Sequence, residues 1–367
     1  MTNPSARSSV FVHDPFGVTA DARMPALARA LDPAEAQVRL AQCWAAARGE
    51  ETCLELRTIQ VGRYKPGRRC LIEYGVEIRA AREPPGTGRT ATLVGKARAK
   101  GADKTTCQLV HALRQDGFND SSADGISVPE PIGTIPEFQQ WLQVKAPGVE
   151  ATEALLKPAG TELAGRIAEA AHKLHQTNSP TARRHTIADE LRILEDRLGQ
   201  TARIRSEWVR RLERLLEACH RLAARLPEPA WCGIHRDFYP AHVLVDDTRL
   251  WLVDFDLYCL GDPALDAGNF LGHLIELSLR HFGDPQALAE REQALEERFV
   301  ELAGSSVRPA VRAYTTLTLV RHIYLSTQFP ERMAFAEPLL ELCEQRLGKY
   351  LRSRSCPGGT NDNSPTF

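Results

Sequence analysis

The sequence of 367 residues lacks three features that would place it in a specialised class of proteins. No stretch approaches the ~18 apolar residues of a membrane-spanning helix, and the opening "MTNPSARSSV" lacks the basic and then apolar segments of a signal peptide. The formal net charge of −1 gives no basic surplus for binding nucleic acid or an anionic membrane surface. We therefore predict a cytoplasmic protein that binds neither nucleic acid nor a membrane.

The sequence also lacks paired cysteines. Its nine cysteines are scattered without a CxxC pair, and several of them fall inside apolar runs. This usage is typical of reduced, buried thiols, and it disfavours a disulfide framework or a zinc ribbon.

The local patterns change character along the chain, and the length favours two lobes over a single core. The stretch "LDPAEAQVRLAQCWAAARG" is helical, with Asp32 as N-cap and Pro33 at the first position. Short apolar runs typical of strands follow, and then helical spacing continues, interrupted by one β-hairpin. We predict a two-lobed α+β fold. Its parts are a helical extension at 1–48, a strand-rich N-lobe at 49–146, a helical C-lobe at 147–351 and a disordered tail at 352–367.

The most informative stretch is "IHRDFYPAHVLVDDTRLWLVDFD", residues 234–256. Its apolar segments predict two strands joined by a polar turn, so that residue 254 lies opposite residue 241. Cross-strand neighbours are about 5 Å apart, which brings Asp254 beside His242 and the loop that carries Asp237; Asp256 is a further candidate. Convergent carboxylates repel one another unless a cation lies between them or one is protonated. A hard divalent metal ion is the economical explanation.

Together with the later "GDPALDAGNFLGHL", this stretch resembles the aminoglycoside phosphotransferase and choline kinase family, which has a protein-kinase-like fold. The segments "RYKPGRRCLIEYGVEI", "LVGKARA" and "AAHKLHQ" are similar to that family's N-lobe hairpin, lysine strand and following helix. The resemblance implies a kinase that transfers the γ-phosphate of ATP or GTP to a hydroxyl group of a small molecule, with Mg²⁺ or, as an alternative, Mn²⁺.

The resemblance also implies roles for the residues of the C-lobe. Asp237 would be the catalytic base for the substrate hydroxyl, and His235 would brace the loop. Asp254 would bind the magnesium ion that bridges the nucleotide phosphates. Asp256 has no fixed role in the family pattern, and a second-metal contact or a substrate-amine contact are its alternatives.

Three residues of the N-lobe are candidates for binding the nucleotide. Lys96 would hold the α- and β-phosphates, the alternative being a solvated basic strand face. Arg68, in the basic turn beside Pro66 and Gly67, would cover the phosphates or lie in solvent. Val144, at the end of "QQWLQV", would present backbone groups to the adenine.

The sequence also lacks a protein-kinase activation loop, which bears on the molecule that would accept the phosphate. Only seven residues separate Asp254 from Asp262, and no Ala-Pro-Glu follows, so there is no room for a protein-kinase activation loop. This brevity favours a small-molecule acceptor. Asp256, Asp266 and Glu276 would suit a cationic amine, or would have ordinary capping and solvated roles.

Two departures from the family pattern keep other functions open. His242 stands where the pattern has a metal-binding Asn, and imidazole suits zinc, manganese or iron better than magnesium. The helix after Lys96 lacks an obvious Glu partner, which leaves Asp103 or Gln108. The alternatives are a nucleotide-binding pseudokinase with a regulatory role and, third, a metal-dependent hydrolase built on the residues of the loop.

Overall fold

In the computed structural model of the protein, which describes residues 10–84 and 86–352 and their side chains as far as 349, the chain forms two compact units. The first unit comprises the residues up to Gly148 and Asp246–Val253, and the second comprises Val149–Val245 and the residues from Asp254 onward. The strands of the described residues are β1 (Phe11–His13), β2 (Thr52–Lys65), β3 (Arg69–Ala80), β4 (Arg89–Arg98), β5 (Ile126–Ser127), β6 (Pro131–Ile135), β7 (Gln140–Val144), β8 (Val149–Glu150), β9 (Cys232–Ile234), β10 (Val243–Asp246), β11 (Arg249–Leu252) and β12 (Cys259–Gly261). The α-helices are α1 (Ala26–Ala30), α2 (Pro33–Arg48), α3 (Lys104–Leu113), α4 (Ala151–Leu155), α5 (Gly160–His175), α6 (Ile187–Ile204), α7 (Val209–Ala223), α8 (Pro263–Phe282), α9 (Ala289–Ala303), α10 (Arg308–Gln328) and α11 (Ala336–Arg352).

The first unit is built on a six-stranded sheet with the order β1-β2-β3-β4-β7-β6. β1 runs parallel to β2, and the other neighbours are antiparallel. Alternate residues of β3, such as Ile72 and Tyr74, point into a core that also contains Leu40 and Trp44 of α2. The first helices therefore pack on the sheet, because both present apolar faces that must be buried together.

The predicted helix at residues 33–48 is confirmed with its ends. The Asp32 carboxylate accepts a hydrogen bond of 2.8 Å from the Glu35 N–H, Pro33 occupies the first position, and Gly49 ends the helix with φ of 82°. A positive φ at this point favours glycine, which carries no Cβ to clash.

The second unit is helical. α10 packs against α6, α8 and α11, and α5 packs against α9. α8 and α10 are buried along most of their length, so they form the centre of this unit. At the start of α8, Asp262 accepts a hydrogen bond of 2.9 Å from the Ala264 N–H and Pro263 is the first helical residue, an arrangement that both residue types favour.

The strands predicted around the polar turn are present as β10 and β11, with Asp247 and Thr248 between them. β10 pairs antiparallel with β8 in the second unit, and β11 pairs parallel with β5 in the first. The domain boundaries predicted at 48/49 and 146/147 stay predictions. The predicted tail at 352–367 lies outside the described residues except for Arg352, which ends α11. Within the described residues, no helix combines the length and the apolar character needed to cross a bilayer.

Candidate active site

A buried carboxylate fixes the loop that follows β9. Asp266, in the first turn of α8, accepts hydrogen bonds from the backbone N–H groups of His235 (2.8 Å) and Arg236 (2.7 Å). The same carboxylate lies 2.9 Å from the Nε2 atom of His175 at the end of α5. Asp266 is fully buried, so these contacts replace its hydration. The loop therefore has a defined path, and Asp266 has a structural role in holding it.

The rest of the loop is held by aromatic packing and by one amide. The His235 ring is fully buried, with its centroid 4.9 Å from that of Phe255 and 5.8 Å from that of Phe238. The Asn269 side-chain N–H donates to the Phe238 carbonyl at 2.9 Å. Sequence reasoning did not single out Asn269, although it lies in the quoted segment "GDPALDAGNF", one helical turn after Asp266.

The structure brings together three of the predicted site residues. The Nδ1 atom of His242 lies 3.7 Å from an Asp237 carboxylate oxygen, and its Nε2 atom lies 3.5 Å from an Asp254 carboxylate oxygen. The carboxylates remain accessible, since the side chains of Asp237 and Asp254 are 40% and 29% exposed. The convergence of Asp237, His242 and Asp254 predicted from the hairpin is confirmed.

The hydrogen bonds of His242 define its tautomer. Its Nδ1 atom lies 2.8 Å from the backbone carbonyl oxygen of Asp237, and because a carbonyl only accepts, the proton is on Nδ1. Burial lowers the pKa of His242, and His235 lowers it further, although the carboxylates of Asp237 and Asp254 oppose this. The neutral ring therefore turns the Nε2 lone pair toward the Asp254 carboxylate.

Two acceptors that face each other favour a cation between them. Two ligands at about 2.1 Å from one ion are about 3.0–3.4 Å apart at neighbouring coordination positions, close to the 3.5 Å observed between His242 and Asp254. Among the described residues, no group of three or more His, Cys, Asp or Glu is placed to hold a metal ion. Magnesium in kinases takes one or two protein carboxylates and completes its shell with phosphates and water. His242 and Asp254 supply one imidazole and one carboxylate, a pair that suits manganese better than magnesium and that leaves most coordination positions to other ligands.

Asp256 is placed in the short helical turn Phe255–Leu257, directly after Asp254. Its backbone carbonyl accepts a hydrogen bond of 2.7 Å from the Arg183 guanidinium. This contact fixes the backbone of the turn, and the metal-binding role of the Asp256 side chain stays a prediction.

The first unit carries the three nucleotide candidates. Lys96 lies in β4 opposite Leu71 and Trp141, with its ammonium 5.3 Å from the Trp141 ring centroid. Asp103, a suggested partner of Lys96, caps α3 and forms an ion pair of 2.5 Å with Arg98.

The other two candidates have backbone hydrogen bonds of their own. The Val144 N–H donates to the Glu130 carbonyl at 2.8 Å, so this donor is already used. Beside it lies a pocket of about 580 Å³, whose lining includes Thr58, Gly75 and Lys145. Arg68 follows Gly67 in the turn between β2 and β3, and its N–H donates to the Lys65 carbonyl at 3.0 Å.

The side-chain carboxylate of Asp21 fixes this turn, and no pattern in the sequence indicated this contact. Asp21 accepts hydrogen bonds from the Gly67 N–H (2.6 Å) and the Tyr64 hydroxyl (2.7 Å). More than forty residues separate the partners in sequence, so local pattern could not reveal the contact.

Comparison with known proteins identifies the family and the fold of the chain. The model of the phosphotransferase enzyme family matches residues 107–314, more than half of the chain. A choline/ethanolamine kinase family protein from Mesorhizobium loti has a similar fold, with a TM-score of 0.52 and 16% identity over 88% of this chain and 96% of that one. A choline kinase from Cryptosporidium parvum (TM-score 0.48, 12% identity, 80% and 90% covered) is also similar. So is a spectinomycin phosphotransferase solved with ADP and spectinomycin (0.49, 10%, 87% and 94%).

The comparison with curated protein sequences gives no match. The family match confirms the resemblance that the motifs indicated, and the Mesorhizobium loti structure confirms the predicted two-lobed, kinase-like α+β fold.

Proposed function

Because the chain belongs to the phosphotransferase enzyme family, we propose that it transfers the γ-phosphate of ATP or GTP to a hydroxyl group of a small molecule. The observation that carries this proposal is the convergence of Asp237, His242 and Asp254, with the two carboxylates 3.7 and 3.5 Å from the imidazole. Phosphoryl transfer needs a base for the attacking hydroxyl and a cation for the phosphate charge, and these groups can supply both.

In this proposal Asp237 acts on the acceptor. The acceptor hydroxyl oxygen forms a bond to the γ-phosphorus as the bond between that phosphorus and the nucleotide diphosphate breaks, and the hydroxyl proton passes to Asp237. The carboxylate is 40% exposed and lies in a loop anchored by Asp266, so it is both reachable and fixed. Holding a base in place contributes to the rate because less freedom is lost in the transition state.

Asp254 and His242 are the residues that would hold a divalent ion, Mg²⁺ or Mn²⁺. A bound ion would offset negative charge on the phosphates. His242 carries its proton on Nδ1, where the Asp237 carbonyl oxygen accepts it, so the side chain stays oriented with Nε2 toward Asp254. Lys96, Arg68 and Val144 are proposed to bind the nucleotide, Lys96 and Arg68 through its phosphates and Val144 through its backbone carbonyl.

The short connection after Asp254 supports a small acceptor. A helical turn, Phe255–Leu257, and the three residues of β12 lead directly to the cap of α8. A segment of this length is too short to form the docking platform that a protein kinase uses for a polypeptide substrate.

The test is γ-phosphate transfer from labelled ATP and GTP to a panel of small hydroxyl compounds, with Mg²⁺ or Mn²⁺. We expect Asp237→Asn to lower kcat by about 10²–10⁴-fold, because proton transfer by a positioned base contributes a factor of this size. Asp254→Ala should abolish metal-dependent turnover. Asp247→Asn is the matched control, since it changes an exposed carboxylate in the hairpin turn whose positive φ Asn tolerates. Activity that survives in both site variants would refute the assignment.

The second candidate is a nucleotide-binding pseudokinase, which the imidazole at the predicted metal position favours. Nucleotide binding by thermal shift without turnover of any acceptor would support it. His242→Asn separates the two candidates further: we expect the amide oxygen to raise the Mg²⁺-dependent rate relative to the Mn²⁺-dependent rate. An unchanged ratio would show that His242 does not bind the metal ion.

A further inference from the structure

Five basic side chains come together in the second unit, on α8, on α10 and on the helical turn Pro330–Phe335. We call them the basic cluster: His273, Arg280, Arg321, His322 and Arg332. The rings of His273 and His322 meet edge to face, with centroids 4.4 Å apart. The charges that act on His322 are those of Arg280, Arg321 and Arg332, and two of these, Arg321 and Arg332, also act on His273.

The basic cluster continues directly from the catalytic loop. The Tyr239 ring, two residues after Asp237, lies between two imidazoles, with its centroid 4.2 Å from that of His242 and 4.6 Å from that of His273. The planes of Tyr239 and His273 are 22° apart, so these rings are stacked. The basic cluster therefore adjoins the loop that carries Asp237, through the contact of His273 with Tyr239.

A second connection runs through Asn269. Its side-chain N–H holds the Phe238 carbonyl at 2.9 Å, and its carbonyl oxygen accepts a hydrogen bond from Arg321. Arg321 also approaches the buried Glu190 at 3.6 Å. Arg321 is thus engaged by Asn269 and Glu190, and a ligand would be bound by other residues of the basic cluster.

The acids near the basic cluster are also committed. Glu276 is 3% exposed and forms an ion pair of 3.1 Å with Arg280, and Asp266 is occupied by the catalytic loop. Asp266 and Glu276, which the sequence offered as partners for a cationic amine, are therefore already engaged by other groups. Arg332, half-buried, forms no ion pair within the described part of the chain, and its guanidinium lies 5.2 Å from the Phe329 ring centroid.

The buried imidazole of His322 lacks a hydrogen-bond acceptor among the described residues. Its side chain is 1% exposed, and neither ring nitrogen has a hydrogen-bond partner among residues 10–84 and 86–349. Burial, reinforced by the neighbouring arginines, lowers the pKa of His322 to about 3, so the ring is neutral and carries one N–H. A buried N–H without an acceptor is costly, and the charged groups around it are donors.

We propose that the small molecule phosphorylated by this protein carries an anionic group, a carboxylate or a phosphate, in addition to its hydroxyl, and that Arg332, His273 and His322 bind that group. This inference rests on the proposed function, because it concerns the acceptor that Asp237 would serve. An anionic oxygen would complete the hydrogen bonding of His322 and pair with the unopposed Arg332 guanidinium, whose planar donors match both anions. A cationic acceptor would meet the Arg332 guanidinium instead, since Glu276 and Glu190 are already paired with Arg280 and Arg321.

Isothermal titration of the full chain, saturated with Mg²⁺ and ADP, tests the proposal with two alcohols of opposite charge. We expect glycerol 3-phosphate to bind and choline to give no heat of binding. Arg332→Gln should weaken the binding of glycerol 3-phosphate about tenfold or more, because a partly desolvated charge pair is lost. Arg312→Gln is the matched control, since it removes an exposed arginine of α10 that pairs with Glu296, outside the basic cluster.

Each other outcome contradicts the proposal. Binding of choline, binding of glycerol 3-phosphate that Arg332→Gln leaves unchanged, or no binding of either compound would overturn it. Competition between glycerol 3-phosphate and ADP would place the basic cluster in the nucleotide site and overturn it as well. The titration needs no phosphate transfer, so anion binding that depends on Arg332 in a protein without kinase activity would refute the proposed function alone.

Discussion

Each unit contains a carboxylate that fixes a backbone segment with candidate site residues: Asp266 in the second unit and Asp21 in the first. In the second unit Asp266 is fully buried and binds the backbone N–H groups of His235 and Arg236, in the loop that carries Asp237, as well as His175. In the first unit the half-buried Asp21 binds the Gly67 N–H and the Tyr64 hydroxyl beside the basic turn. The chemistry is the same, a carboxylate accepting from backbone and side-chain donors, while the exposure to solvent differs.

That difference determines what each carboxylate contributes. Water cannot replace a lost partner at a fully buried position, so the hydrogen bonds of Asp266 must all be present together. At a half-buried position water can substitute, so the Asp21 contact sets the geometry of the turn more than it sets the stability of the unit. We infer that the loop with the proposed base is rigid before substrate binds, and that the basic turn can adjust to the nucleotide.

The strongest way to break the comparison is Asp266→Asn. The amide N–H₂ would face the N–H groups of His235 or Arg236, leaving buried donors without acceptors. We expect a loss of about 3 kcal/mol in the free energy of unfolding, together with loss of turnover. Urea unfolding of the full chain followed by circular dichroism measures the first effect.

Asp262→Asn is the control for that experiment. Asp262 caps α8 by accepting a hydrogen bond from the Ala264 N–H, and it also accepts from the Tyr314 hydroxyl; an Asn side-chain oxygen can accept as well, so a loss of about 1 kcal/mol or less is expected. Equal urea midpoints for the two variants would show that Asp266 has no special part in holding the loop.

The sequence predicted the second unit's site better than the first unit's, and the reason is the distance along the chain. Asp237, His242 and Asp254 converge because a short hairpin brings them together, and register and cross-strand spacing follow from the pattern of apolar residues. The contact of Asp21 with Gly67 joins segments whose relative position only the packing of α1, α2 and the sheet defines.

The basic cluster was missed for a related reason. His273 and His322 lie in apolar helical segments, where a histidine has the same helical spacing as the core residues around it. The pattern predicted that α8 and α10 are helices, but the side on which each His lies depends on how the two helices pack.

A test of intermediate size asks whether the first unit's residues act on binding alone. Lys96→Ala should raise the KM for the nucleotide about tenfold, with a smaller change in kcat, because an ammonium that binds the phosphates does so before and during transfer. Lys100→Ala is the control, since it removes an exposed lysine just beyond the end of β4, whereas Lys96 is half-buried within the strand. Steady-state kinetics with varied nucleotide gives both constants. An unchanged KM in Lys96→Ala would show that Lys96 does not bind the nucleotide and belongs to a solvated basic strand face.

The smallest expected effect, and the sharpest test of the difference between the two carboxylates, is the pH dependence of Asp21→Asn. The hydrogen bond from the Tyr64 hydroxyl, followed by that from the Gly67 N–H, lowers the pKa of Asp21 in the folded protein. A lowered folded pKa gives stability that is complete above the ordinary carboxyl pKa of about 3.9 and is lost as the pH falls from there through the folded pKa. The urea midpoints of wild type and Asp21→Asn should therefore differ at neutral pH and approach each other as the pH falls toward 3.

Tyr64→Phe is the matched variant for this titration, because it removes the largest cause of the lowered pKa and keeps the Asp21 carboxylate. We expect it to reduce the acid dependence without abolishing it, since the Gly67 N–H still donates. The KM for the nucleotide should rise about twofold to threefold in Asp21→Asn, as a less fixed turn orients the phosphates less well. A difference between wild type and Asp21→Asn that stays constant from neutral to acid pH would mean that the carboxylate charge contributes nothing, and that the turn is held by its backbone alone.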